Sequence, residues 1–203
     1  AQLHWVEIEP EADYFDEARA MAAAAWGSLT CAEKTKFPDF RGLHWPGRMH
    51  EVVRAGSGQR WLLEGAHNPS GMETSCRTLE RDERWKNPWA LLFGSTPQSE
   101  MGAMLEPLVN LCRRHPPVAI VLTEPQFGRY PGVPCTELAS ALGQHDLQIS
   151  ASFANPQEAV AWVEAQSSTL TDVLCIGSLY LAGNVLQALG ADDDEALSIV
   201  AKD

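Results

Sequence analysis

Apolar residues change their spacing repeatedly along this chain, and each change marks an element. From Met49 onward, "MHEVVR" and "QRWLL" flank the turn-forming run "AGSG", which predicts a hairpin. The runs "WALLF" (89–93), "VAIVL" (118–122), "LQISA" (147–151) and "VLCI" (173–176) predict further strands. Those at 118 and 173 are short, continuous and β-branched, as in strands covered on both faces. Between the strands, Met101, Met104, Leu105, Leu108, Val109 and Cys112 recur at helical spacing, and Met72, Cys76 and Leu79 do so more sparsely. Asn155-Pro156 with Glu158 predicts a helix start, with Asn as N-cap, Pro at the first helical position and an acid two residues on. Gly143 and Gly190 are expected to end helices. Strand–helix alternation of this kind implies an α/β three-layer sandwich. Its sheet is expected to be mostly parallel, with about six strands, one of them antiparallel and supplied by the N-terminal hairpin.

The first forty residues differ. "YFDEARAMAAAAWGSL" is alanine-rich and predicts a helix, while "TCAEKTKFPDFRGLHWPGR" has little periodicity and two Pro-Gly-interrupted stretches, which reads as a linker. The acidic run "ADDDEA" near the C-terminus is expected to begin a last helix, with Asp near its positive end. The 203 residues carry 15 basic and 27 acidic side chains, a formal net charge of −12, which argues against nucleic acid and against an anionic membrane surface as partners. No run approaches the ~20 apolar residues of a membrane span. Five cysteines without paired spacing suggest free thiols in a reducing, cytoplasmic setting. The six histidines are dispersed, with no metal-ligand spacing to cysteines, so no metal site is expected.

Three stretches carry candidate chemistry. In "WLLEGAHNP" a strand meets Gly65, and Asn68 and Pro69 are placed to start the next helix. Glu64 and His67 then lie at the carboxyl edge of the sheet, where open α/β folds bind ligands beside helix N-termini. Read locally, Asn68 is also explicable as a cap alone, His67 as a surface residue and Glu64 as a solvated acid. "VLCIGSLYLAGNVL" repeats the arrangement, with Gly177, Ser178 and, one turn in, Tyr180. "HWPGR" presents Arg48 as the chain enters the domain.

Trp45-Pro46-Gly47-Arg48, Glu64-Gly65-Ala66-His67-Asn68-Pro69 and Gly177-Ser178-Leu179-Tyr180, in this order, resemble the W-P-G-R, D-G-A-H-N-P and G-S-[LF]-[YH]-like motifs of folylpolyglutamate synthase and dihydrofolate synthase, in the Mur ligase superfamily. The resemblance covers residues 41–203 and implies a Rossmann-like C-terminal domain, with residues 1–40 as the last helix of a preceding central domain plus linker. It implies an ATP-dependent carboxylate–amine ligase. A folate or pteroate carboxylate is converted to an acyl phosphate by ATP, with Mg2+, and L-glutamate then attacks to form an amide. It implies that Arg48 and Glu64 face the nucleotide, that His67 and Ser178 do catalytic work where glutamate meets the acyl phosphate, and that Asn68 and Tyr180 join them in binding glutamate. Glu64 departs from the family's aspartate. None of the four lysines follows a glycine, so no G-x-x-x-x-G-K-[ST] loop occurs here. The nucleotide and Mg2+ ligands are therefore expected mainly in an N-terminal ATPase domain outside this chain, and this chain alone is expected to be inactive. Another amino-acid ligase of the superfamily and a stand-alone, non-catalytic α/β binding module are the alternatives. Folylpolyglutamate and dihydrofolate synthase activity are not separable from these residues.

Overall fold

The computed structural model describes residues 5–9, 12, 14–29 and 45–193. They fall into two compact units that meet in sequence near residue 43. The first contains helix α1 (Tyr14–Gly27), the alanine-rich stretch, with Asp16 and Glu17 in its first turn and Asp16 paired to Arg19. Most of the expected linker lies outside the described residues, as does the expected last helix from Asp194 onward.

The second unit is an open sheet between helices. In chain order its elements are β1 (His50–Val53), β2 (Arg60–Glu64), α2 (Pro69–Leu79), β3 (Trp89–Phe93), α3 (Met101–Arg114), β4 (Ala119–Thr123), α4 (Cys135–Gly143), β5 (Ala151–Phe153), α5 (Pro156–Glu164), β6 (Asp172–Ile176) and α6 (Leu179–Leu189). The strands stand in the order β1-β2-β6-β3-β4-β5. Only β1 against β2 is antiparallel; β2–β6, β6–β3, β3–β4 and β4–β5 are parallel. The α/β sandwich expected from the pattern is therefore present, with its one antiparallel strand in the hairpin.

Alternate strand residues go to opposite faces, and this builds two cores. Leu62, Leu91, Ile120, Leu122 and Leu174 pack with Met72, Met104, Leu108 and Leu138 of α2, α3 and α4. Trp61, Leu63, Leu92, Val121 and Cys175 pack with Val160, Val163, Leu181 and Val185 of α5 and α6. Burying a Leu or Val side chain contributes about 1.5–3 kcal/mol, so continuous apolar strands are what a doubly covered sheet requires.

Two local expectations are corrected. The strand foreseen at 147–151 begins only at Ala151. Ahead of it the Ser150 hydroxyl accepts the Ile120 amide (3.2 Å) while the Ser150 amide donates to the Ile120 carbonyl (2.8 Å), so a side chain takes a ladder position. Gly143 is the last residue of α4 rather than its terminator. The left-handed residue is Asp146 (φ 62°), with Leu147 N–H reaching the Leu142 carbonyl and Asp146 N–H the Gly143 carbonyl. Gly190 does close α6 as expected, at φ 63°.

Candidate functional site

The chain advances from β2 through β3 and β4 to β5 with α2, α3 and α4 on one face, then returns through α5 to place β6 between β2 and β3. The helices after β2 and β3 leave toward one face and the helix after β6 toward the other. The carboxyl end of β6 is therefore a topological switch point, where neighbouring loops diverge and leave a crevice. Glu64 pairs with Ile176 in the β2–β6 ladder, so the turns that begin at Gly65 and Gly177 stand side by side.

Each turn is built for that place. Asn68 is extended (φ −149°) and its side chain accepts the Gly71 amide at 2.8 Å, with Pro69 at the first helical position of α2. Ser178 caps α6 in the same way, accepting the Tyr180 amide at 3.2 Å. Its oxygen acts there as an acceptor, so the hydroxyl proton remains available to donate elsewhere. Ser178 is buried, whereas Tyr180 is 43% exposed. Half-buried His67 places Nδ1 2.9 Å from the Gly65 carbonyl. A carbonyl only accepts, so Nδ1 carries a proton and the chemistry of the ring is left to Nε2. Gly65 is required by close approach rather than by an unusual backbone angle. Its amide donates to the Gly47 carbonyl (2.8 Å), and a Cβ there would lie 2.2 Å from Leu179 Cδ2.

Glu64 is not the solvated acid that a local reading allowed: it is 1% exposed. Its Oε1 accepts from Arg48 Nη1 (3.1 Å) and its Oε2 from the Met49 amide (3.0 Å). Trp45-Pro46-Gly47-Arg48 is a tight turn, with the Arg48 amide on the Trp45 carbonyl (3.0 Å), Pro46 at its second position and Gly47 at φ 72°. Met49 follows with φ 45°, a left-handed conformation that costs a non-glycine residue about 1–2 kcal/mol. Glu64 offsets that strain by holding both Met49 and Arg48. The Arg48 side chain is 18% exposed. The three motifs thus converge on one edge: Arg48 docks on Glu64 beside β2, Gly65 on Gly47, and both glycines border Leu179 of α6.

The pattern did not single out Asn184 or the loop after β4. Asn184 is buried, accepts the Gln126 amide (2.8 Å) and donates to the Gln126 carbonyl (3.3 Å), tying that loop to α6. The signal was a polar residue three positions after Leu181, on the apolar side of α6. In the same loop Gly128 lies against the Tyr180 ring, 2.9 Å from where a Cβ would be. Glu124 accepts the Cys135 amide (3.1 Å) and so caps α4, which Pro134 cannot cap. Among the described residues no group of three or more His, Cys, Asp or Glu side chains is arranged to hold a metal ion. Among these residues, too, no helix is long and apolar enough to cross a membrane.

The fold is that of an open, Rossmann-like α/β domain, and solved folylpolyglutamate synthases share it over part of their length. Among solved structures the chain is similar to Escherichia coli FolC in complex with ADP, at 19% identity and a TM-score of 0.63 over 90% of this chain and 41% of that one. It is similar to Mycobacterium tuberculosis folylpolyglutamate synthase complexed with ADP and AMPPCP, at 19% identity and a TM-score of 0.59 over 88% of this chain and 40% of that one. A bifunctional folylpolyglutamate synthase/dihydrofolate synthase with Mn, AMPPNP and L-glutamate bound matches at 19% identity and a TM-score of 0.56, over 94% of this chain and 42% of that one. The chain thus spans about two fifths of the length of these proteins. No family model and no curated protein sequence matches it.

Proposed function

We propose that this chain is the C-terminal domain of an ATP-dependent amide ligase that adds L-glutamate to folate or dihydropteroate through an acyl phosphate. The observation that carries the reading is the β2–β6 pairing, which brings the turns that carry His67 and Ser178 side by side at the carboxyl edge of the sheet. The likeness to folylpolyglutamate synthases, which spans only part of their length, supports it, as do the three motifs gathered at that edge.

In this reaction ATP transfers its terminal phosphoryl group to the carboxylate, the glutamate amine attacks the acyl carbon, and phosphate leaves from the tetrahedral intermediate. Ser178, with its oxygen already accepting the Tyr180 amide, donates its proton toward the oxyanion, and the α6 N-terminus adds its positive end. The Nδ1–H bond of His67 leaves Nε2 as the nitrogen that accepts the proton the attacking amine must lose. Arg48 faces the nucleotide with planar donors, and Glu64 acts on the nucleotide through Arg48 by fixing where that guanidinium stands. Asn68 and Tyr180 border the glutamate subsite. ATP and Mg2+ are held mainly by an N-terminal ATPase domain, so the 203-residue chain does not form the amide by itself.

The test is turnover. The purified chain and the longer protein encoded by its reading frame are incubated with ATP, Mg2+, L-glutamate and, in turn, dihydropteroate, folate and a peptidoglycan precursor. Glutamylation of a pteroate or folate by the longer protein, with none by the chain alone, is the expected result. Ligation only to the peptidoglycan precursor would assign a different ligase, and a longer protein that ligates nothing would leave a binding module.

A further inference from the structure

Among the described residues His50 is the one buried histidine, 5% exposed, and neither the three motifs nor the mechanism uses it. It opens β1 opposite Leu63. Side chains directly opposite in an antiparallel pair share a face. The imidazole therefore lies with Leu63 and Val52, on the side of the sheet that α6 covers. A polar ring placed there needs hydrogen-bond partners of its own.

Its bond to Gly47 shows what it holds. The Gly47 amide donates to His50 Nδ1 (3.4 Å). An amide N–H only donates, so Nδ1 carries no proton and the proton of the ring sits on Nε2. His67 has the opposite arrangement, with Nδ1 donating to the Gly65 carbonyl. Between the two rings, the Gly65 amide donates to the Gly47 carbonyl (2.8 Å). Three hydrogen bonds thus run in one direction, from His67 through Gly65 and Gly47 to His50. They join the turn before β1 to the turn after β2.

Gly47 is the pivot of the first of these turns. It has φ 72°, is packed so that a Cβ would lie 3.2 Å from Ala182 Cβ, and directly precedes Arg48 and the left-handed Met49. Glu64 fixes the two residues that follow the pivot, through the Arg48 guanidinium and the Met49 amide. His50 fixes the pivot itself. Gly47 is buried, so without that acceptor its N–H would be left unsatisfied away from water.

We infer that His50 is a positioning residue for Arg48: its unprotonated Nδ1 holds the Gly47 amide and so sets the direction in which the turn presents the guanidinium. That the guanidinium meets the nucleotide rests on the proposed ligase reading; that His50 places it does not.

Two variants test this. Asn carries an acceptor oxygen at the same remove from Cβ as Nδ1, whereas Leu has similar reach and no acceptor. In the 203-residue chain, the imidazole nitrogens of His50, the Nε–H group of Arg48 and the Met49 amide are followed by NMR. The expected result is a proton on Nε2 and none on Nδ1 of His50, with the Arg48 and Met49 signals displaced in His50→Leu and returned toward the parent in His50→Asn. A protonated Nδ1 in the folded chain, or Arg48 signals unmoved in His50→Leu, overturns the proposal. Where His50→Leu does not fold, the tautomer and the His50→Asn signals decide: an Arg48 displaced in His50→Asn as well counts against it. In the complete ligase, His50→Leu is expected to raise KM for ATP roughly tenfold, the scale on which small misplacements at a site are felt. The kcat should stay within about twofold, as for loss of binding made equally in ground and transition states, and His50→Asn should restore KM to within about threefold of the parent. A lowered melting temperature with KM for ATP unchanged in an active ligase would make His50 structural only and overturn the positioning role. A complete protein that ligates nothing, yet shows the His50-dependent displacement of Arg48, removes the ligase reading and leaves the positioning.

Discussion

At the scale of single residues, Glu64 shows how a buried acid at a sheet edge can serve as a structural clamp. Its two oxygens satisfy the Arg48 guanidinium and the Met49 amide inside the protein. Glu64→Ala leaves both donors without that acceptor, at a cost of roughly 1–3 kcal/mol. At about 2–4 °C per kcal/mol for a domain of this size, the melting temperature of the chain is expected to fall by several degrees. Glu64→Asp shortens the reach by on the order of 1 Å and keeps the charge, so its effect should be the smaller of the two; small misplacements matter mainly when chemistry depends on them. Circular-dichroism melts of both variants decide this, and an unchanged Glu64→Ala melt would show that the clamp contributes nothing. The residues Arg48, Glu64, His67, Asn68, Ser178 and Tyr180 were legible because each sits in a short motif at a strand–helix junction. What they touch was not legible. Sequence spacing does not reveal that Glu64 is buried under Arg48, because that depends on a turn sixteen positions away closing onto β2.

At the scale of elements, the crevice depends on how closely the loops at the carboxyl edge approach one another. Gly177 has φ 118°, a conformation that side chains rarely adopt, and a Cβ there would lie 2.5 Å from the Gly94 carbonyl and 2.7 Å from the Phe93 ring. Gly177→Ala combines backbone strain with overpacking, each costing on the order of 1–3 kcal/mol. The melting temperature is expected to drop by roughly 5–20 °C at the sensitivity of a domain of this size. Phe93→Leu in that background should recover part of the loss, since the ring is one of the two obstructions. A Gly177→Ala chain that melts with the parent would contradict the close approach. The strands β3, β4 and β6 and the helices α2, α3 and α5 were visible as runs and caps, because two-sided burial demands continuous apolar sequence and Asn-Pro marks a helix start. The β5 start and the α4 end were not. Ser150 replaces a backbone bond with its hydroxyl, and Asp146 adopts the angle that a glycine three residues earlier suggested, and neither leaves a periodic trace.

At the scale of the whole molecule, the two cores keep the thiols out of reach. Burial pushes Cys76 and Cys175 well above the ordinary thiol range and Cys112 up to about 12. In the unfolded chain these thiols ionise near ~8.5. Because the folded values are raised, their contribution to stability is complete below that pH and is lost as pH rises toward the folded values, at about 1.4 kcal/mol per pH unit for each thiol. Stability is therefore expected to decline from about pH 9 upward in chemical denaturation, and Cys76, Cys112 and Cys175 should resist alkylation at pH 8 until the chain unfolds. Rapid labelling of these three in the folded chain would contradict the packing. The central claim is that His67 serves amide formation in the crevice beside β6. It is tested most directly by single-turnover kinetics of the complete ligase carrying His67→Ala, with ADP formation and amide formation followed separately. ADP formation is expected at the parent rate, with amide formation slowed roughly ten- to a hundredfold or more, as for loss of a general base. Equal rates of amide formation in parent and variant would contradict a role for His67 in the chemistry.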